Sequence, residues 1–99
     1  MLVKACKISE LKDTLSIDIN EYKIILIKRD NKIYALDRIC THQYADLANG
    51  FIDEDTITCP LHLAQFNITD GNVLSPPAKK PLKLYNIKIE GDYIYIDLK

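Results

Sequence analysis

Two short stretches constrain this 99-residue chain more than anything else in it: Cys40-Thr41-His42 and Cys59-Pro60-Leu61-His62. The sequence holds two histidines and three cysteines, and these stretches use both histidines and two of the cysteines. Each supplies one thiolate and one imidazole, so Cys40, His42, Cys59 and His62 together offer four metal ligands from two loops. A fold that uses them must bring both loops to one point.

Two centres accept such a set. Structural zinc takes two thiolates and two imidazoles in a closed tetrahedron. A Rieske [2Fe–2S] cluster places two cysteines on one iron and two histidines on the other. Zinc fingers usually present a cysteine pair from one knuckle and a histidine pair from the other. Here each arm mixes the types, Cys-x-His and then Cys-x-x-His. Two irons explain the mixture, because each arm then reaches both, thiolate to one and imidazole to the other.

Length and charge narrow the setting. Ninety-nine residues fit one small domain with a single core. A net charge of −1 gives no basis for a nucleic-acid or membrane partner. The first nine residues carry Lys4 and Lys7 and no sustained apolar run, unlike a signal peptide. The longest apolar run is Ile24–Ile27, far short of a membrane span. An odd number of cysteines argues against a disulfide framework. The expectation is a cytoplasmic monomer in which Cys6, the third cysteine, is a small core hydrophobe.

The patterning is that of strands throughout. Val3, Ala5 and Ile8 suit a first strand, and Leu15, Ile17 and Ile19 alternate over Thr14–Ile19. Tyr22–Lys28 is rich in β-branched residues, and Asp30-Asn31 makes a turn into Lys32–Leu36, which predicts an antiparallel hairpin. Short strands follow at Phe51-Ile52, Thr56–Thr58, Phe66–Ile68 and Val73-Leu74, with a turn at Asp70-Gly71. Ser75-Pro76-Pro77 is a loop, because proline cannot sit in a central strand. Leu82–Ile89 and Tyr93–Leu98 close the chain as two more strands around Glu90-Gly91-Asp92. The result is one all-β domain, with a metal-holding subdomain at about residues 38–78 set on a β-base from 1–37 and 79–99.

The ligand spacing resembles the Rieske ferredoxin signature, and the resemblance continues through Leu47, Gly50, Phe66, Gly71 and Ser75-Pro76-Pro77. It is nearest to the low-potential soluble ferredoxins that serve ring-hydroxylating dioxygenases. It implies three stacked antiparallel sheets with the cluster at one tip. It also implies Cys40 and Cys59 on the inner iron, His42 and His62 on the outer, and the proline loop over one side. Where many such proteins carry glycine after the second histidine, this chain has Leu63 and then Ala64. The high-potential branch has an extra disulfide at positions that here read Ala45 and Leu61, and cluster-bonding hydroxyls at positions that read Ala64 and Phe66.

Replacing two thiolates by neutral imidazoles makes the centre less negative and easier to reduce; Rieske potentials span roughly −150 to +300 mV. Lacking hydroxyl donors at 64 and 66, this chain should fall near the low end. The resemblance implies a one-electron carrier, taking electrons from a flavin-dependent reductase and passing them to an oxygenase or other oxidoreductase. Two other readings are a small subunit of a nitrite-reductase-type enzyme and a zinc-holding binding module without redox activity. No third histidine remains for an oxygenase iron, and no P-loop, dinucleotide fingerprint or nucleophile elbow is present, so no catalytic residue is expected. Gln43, Tyr44, Leu63, Pro76 and Pro77 are candidates for an apolar docking platform at the tip, with Lys79, Lys80 and Lys83 as a basic group beside it.

Overall fold

The apolar run Ile24–Ile27 sits at the centre of the molecule. In this computed structural model, which describes residues 1–41, 45–61, 63–76 and 80–98, those four residues are 0–1 % exposed. A strand without polar alternation has to be covered on both faces, and here it is. The strands are β1 (Leu2–Lys7), β2 (Thr14–Ile19), β3 (Tyr22–Arg29), β4 (Lys32–Asp37), β5 (Phe51–Asp53) and β6 (Thr56–Thr58). They continue with β7 (Gln65–Asn67), β8 (Val73–Ser75), β9 (Leu84–Tyr85), β10 (Ile87–Glu90) and β11 (Tyr93–Asp97). All strand pairings are antiparallel, in three sheets ordered β1-β11-β10, β2-β3-β4-β9 and β5-β6-β7-β8. Among the described residues there is no α-helix, only 3-10 turns at Ile8–Glu10 and Leu47–Asn49.

Alternation along β3 divides the interior in two. Ile25 and Ile27 face one core, with Leu47, Ile57, Phe66 and both Cys40 and Cys59. Ile24 and Leu26 face the other, with Ile94, Ile96, Leu98 and Tyr85. The middle sheet is therefore the wall between the ligand-bearing sheet and the terminal sheet. Burying the apolar side chains of that wall contributes about 1.5–3 kcal/mol each.

Short turns set the registers. Arg29 pairs with Lys32, and the two residues between them, Asp30 and Asn31, have φ of 50° and 68°. Two successive positive φ values match the twist of a hairpin, and Asp and Asn tolerate them better than most residues. The expected hairpin is therefore present. Cys6 is buried as expected: a register shift between Lys4 and Cys6 turns it inward beside the half-buried Ala5. Burial, and then the charge of Glu10, raise its thiol above its ordinary range, as suits an inert core residue.

The tail departs from expectation. Leu82–Ile89 is not one strand: it breaks at Asn86 into β9, which pairs with β4, and β10, which pairs with β11. The chain changes sheets there, a tertiary demand that local propensity does not report. Tyr85 anchors the crossing. Its hydroxyl donates to Asp37 Oδ1 at 2.6 Å, and its ring meets Tyr22 edge-on at 6.2 Å. Ile68 also leaves its expected strand for the turn before Gly71. Gly71 has a φ of +77°, and a side chain there would overlap the Leu82 carbonyl oxygen.

Gly71→Ala should therefore cost at least about 2 kcal/mol, more than Gly91→Ala, whose positive φ lies in open space; denaturant midpoints compare them. Burial first, then Asp37, push the Tyr85 phenol above its ordinary range, so its contribution is complete below the unfolded value near 10 and declines as pH rises past it. Tyr85→Phe should cost about 1 kcal/mol at neutral pH. That deficit should shrink above about pH 10.

Candidate metal centre

Both ligand loops are hairpin tips closed in the same way. Beyond β4, the Leu47 amide donates to the Arg38 carbonyl at 2.8 Å, Ile39 bridges to Asp46, and the Cys40 amide donates to the Ala45 carbonyl at 2.9 Å. Beyond the paired Thr58 and Gln65 of β6 and β7, the Cys59 amide donates to the Ala64 carbonyl at 2.8 Å. In each loop the cysteine's own N–H is tied to the carbonyl five residues on. Ala45 and Ala64 are both buried, so small side chains let each hairpin narrow at its neck.

This closure delivers two thiols to one place. Cys40 is 4 % exposed and Cys59 is 0 % exposed, in the same core. Burial raises the Cys59 thiol, the Leu61 backbone N–H lowers it, and the Cys40 side chain, within hydrogen-bonding reach, raises it again. The two sulfurs are thus neighbours in an apolar setting where a lone thiolate is costly. A metal cation removes that cost, because a coordinated thiol is deprotonated outright. The nearby Leu61 backbone N–H favours the charged form as well. The donor pair fits two thiolate positions of one metal centre.

The described residues bring together Cys40 and Cys59 out of the four expected ligands. His42 and His62 lie outside the described residues, as do Gln43, Tyr44, Pro77 and Lys79. Among the described residues no cluster of three or more His, Cys, Asp or Glu side chains forms a further site. Ala64 and Phe66, both fully buried, bring no hydroxyl toward the thiols.

Leu63 follows His62 with a φ of +60° while its side chain is 60 % exposed. The loop keeps the left-handed turn that glycine adopts freely and pays with a leucine, at about 1–2 kcal/mol. Thr41 Oγ1 donates to the Lys80 carbonyl at 2.7 Å, fastening the first ligand loop to the end of the proline loop. Of the basic group, Lys83 lies over the Tyr85 ring, its Nζ 4.9 Å from the centroid, rather than extending as a free docking charge. A surface cleft of about 480 Å³ lies beside that ring, lined by Tyr22, Asp37, Ile39 and Tyr85 among others.

One residue of the site carries no signal in the sequence. Arg38, two residues before Cys40, is 6 % exposed, the buried charged residue among those described. Its Nη2 donates to Asp18 Oδ1 at 2.7 Å, and its Nε lies 3.2 Å from Asp46 Oδ2, off the line of a hydrogen bond. Asp46 in turn caps the Leu47–Asn49 turn by accepting from the Ala48 amide at 2.9 Å. An arginine at a strand end looks the same whether it faces water or core, so only the fold reveals this one.

The chain matches the family description Rieske [2Fe-2S] domain over residues 1–86. It is 36 % identical over 86 residues to the ferredoxin component of the naphthalene 1,2-dioxygenase system of Pseudomonas aeruginosa, covering 87 % of this chain and 83 % of that one. It is 34 % identical over 97 residues to the biphenyl dioxygenase ferredoxin subunit of Pseudomonas sp. strain KKS102, covering 95 % and 89 %. The structure of the Sphingomonas yanoikuyae B1 ferredoxin superposes with a TM-score of 0.92 at 26 % identity over the full length of both chains. A chain in the complex of reduced oxygenase and oxidised ferredoxin of carbazole 1,9a-dioxygenase superposes with a TM-score of 0.88 at 26 % identity, covering 96 % of this chain and 91 % of that one.

Leu63 gives the loop geometry a direct test. Leu63→Gly relieves the left-handed strain at an unfolded-state entropy cost of about 0.5–1 kcal/mol, so stability should hold or rise by up to about 1 kcal/mol. Leu63→Val, β-branched, should lose at least about 1 kcal/mol by the same denaturant titration.

Proposed function

The chain belongs to the Rieske [2Fe–2S] domain family, and from that premise we propose that it is a one-electron carrier whose acceptor is an oxygenase. The cofactor expected from the sequence, a Rieske-type [2Fe–2S] cluster, is the one that defines the family. The observation that carries the reading is the pair of buried, neighbouring thiols at the necks of two matching loops. In the proposed ligand set Cys40 and Cys59 hold one iron, while His42 and His62 hold the other. Residues 38–78 act as the cluster-holding subdomain, on a base formed by 1–37 and 79–99.

When bound, such a centre stores and releases a single electron at a potential set by ligand charge, hydrogen bonds and burial. This chain's residues do the rest. Ile57, Phe66 and Leu47 keep water from the thiolate side. The Leu61 backbone N–H favours the charged form of Cys59, and the side chains of Ala64 and Phe66 add no hydroxyl donor. Leu61 and Leu63, 45 % and 60 % exposed on either side of His62, offer an apolar contact to the acceptor. We take the donor to be a flavin-dependent reductase, the location cytoplasmic and the working form a monomer; the protein is a carrier rather than a catalyst. No helix among the described residues is long and apolar enough to cross a membrane.

Purified protein, mixed with a flavin reductase and a Rieske oxygenase, should carry electrons between them in proportion to its concentration, taking up one electron per chain. A spectroelectrochemical titration should give a one-electron midpoint in the lower half of the Rieske range, below about +75 mV. A preparation that takes up no electron contradicts the carrier role, and a midpoint near +300 mV contradicts the reading of positions 64 and 66.

A further inference from the structure

Burying an arginine is expensive unless its charge is answered, and unpaired it would not persist in a core. Arg38 is answered by two carboxylates of unequal exposure, Asp18 at 59 % and Asp46 at 36 %, while its own side chain is 8 % exposed. The positive charge is therefore inside and its partners are toward water, where their fields are screened. Lys23 lies 3.8 Å from the other oxygen of Asp18, half in solvent. The Arg38 backbone is held as firmly: its amide donates to Lys23 O at 2.9 Å and its carbonyl accepts from Leu47 at 2.8 Å. Ile39 lines the Tyr22–Tyr85 cleft, while Arg38 and Cys40 on either side of it in the chain are both buried.

We propose that Arg38 is a potential-setting residue, a fixed buried positive charge at the foot of the first ligand loop that favours the electron-loaded form of the centre. It rests on the carrier reading above. The added electron is one negative charge, and at an effective dielectric near 20 a unit positive charge changes a one-electron equilibrium by roughly tenfold when it lies about 10 Å away. The two carboxylates oppose this, and their exposure makes the opposition incomplete. Because Asp46 also caps the turn that leads out of the ligand loop, Arg38 fixes its own distance from the centre.

The test is redox titration of the iron-loaded protein and its variants, with iron and sulfide assayed per chain. Arg38→Met should lower the reduced-to-oxidised ratio at fixed potential at least threefold, a negative shift of about 28 mV by the one-electron constant of 59 mV per tenfold. Arg38→Lys should restore more than half of it. Asp18→Asn, at an exposed position, should shift the midpoint the opposite way, because it removes an opposing negative charge. A merely structural network would move all variants in one direction or not at all, and either result overturns the proposal. If Arg38→Met fails to load iron, the Asp18→Asn shift decides alone: positive supports, zero or negative overturns. A wild-type chain without the iron–sulfur spectrum would sink the carrier reading itself. Normal titration with unmoved variant midpoints sinks only the role of Arg38.

Discussion

The structure turns on two neighbouring thiols in an apolar core, a setting that disfavours their charged form unless a cation answers it. Most buried cysteines act as small hydrophobes, and Cys6 does so here. Cys40 and Cys59 differ because each sits at the neck of a hairpin tied by its own amide to a carbonyl five residues on. The backbone hydrogen bonds of the two cysteines set where the sulfurs lie, and the nearby Leu61 N–H favours the charged form of Cys59. At these two donors the backbone is in place before a metal binds.

The remaining fold supports those two necks. β3, covered on both faces, gives the ligand-bearing sheet a rigid wall to pack on and the terminal sheet a second one. Gly50 lies so close to the Thr58 carbonyl that a side chain could not fit, which lets the first loop close down against β6. Gly71 does the same against Leu82, and Thr41 joins the first loop to Lys80. Glycines and a threonine thus bring three separated segments around one point.

Much of this was legible beforehand. The pairing of Cys40 with Cys59, the all-β class, the Asp30-Asn31 hairpin and the inward faces of β2 and β11 follow from spacing and alternation, because those signals are local. The split at Asn86 was not legible, since changing sheets depends on what already occupies the edges of β4 and β11. The conformation at Leu63 had a signal only in the resemblance, whose glycine at that place suits a left-handed turn; the leucine itself gives no hint of it. Arg38 was the deepest omission. Its burial arises from Asp18 and Asp46, which lie 20 residues before it and 8 after it in the chain and meet only in the folded state.

The central claim is that thiolates and imidazoles share one two-iron centre. Pulsed electron paramagnetic resonance of the reduced protein, grown with nitrogen-15 histidine, tests it most directly. The account requires a two-iron signal coupled to nitrogens of two histidines. A colourless, signal-free protein containing zinc, or a two-iron signal without histidine coupling, would contradict it.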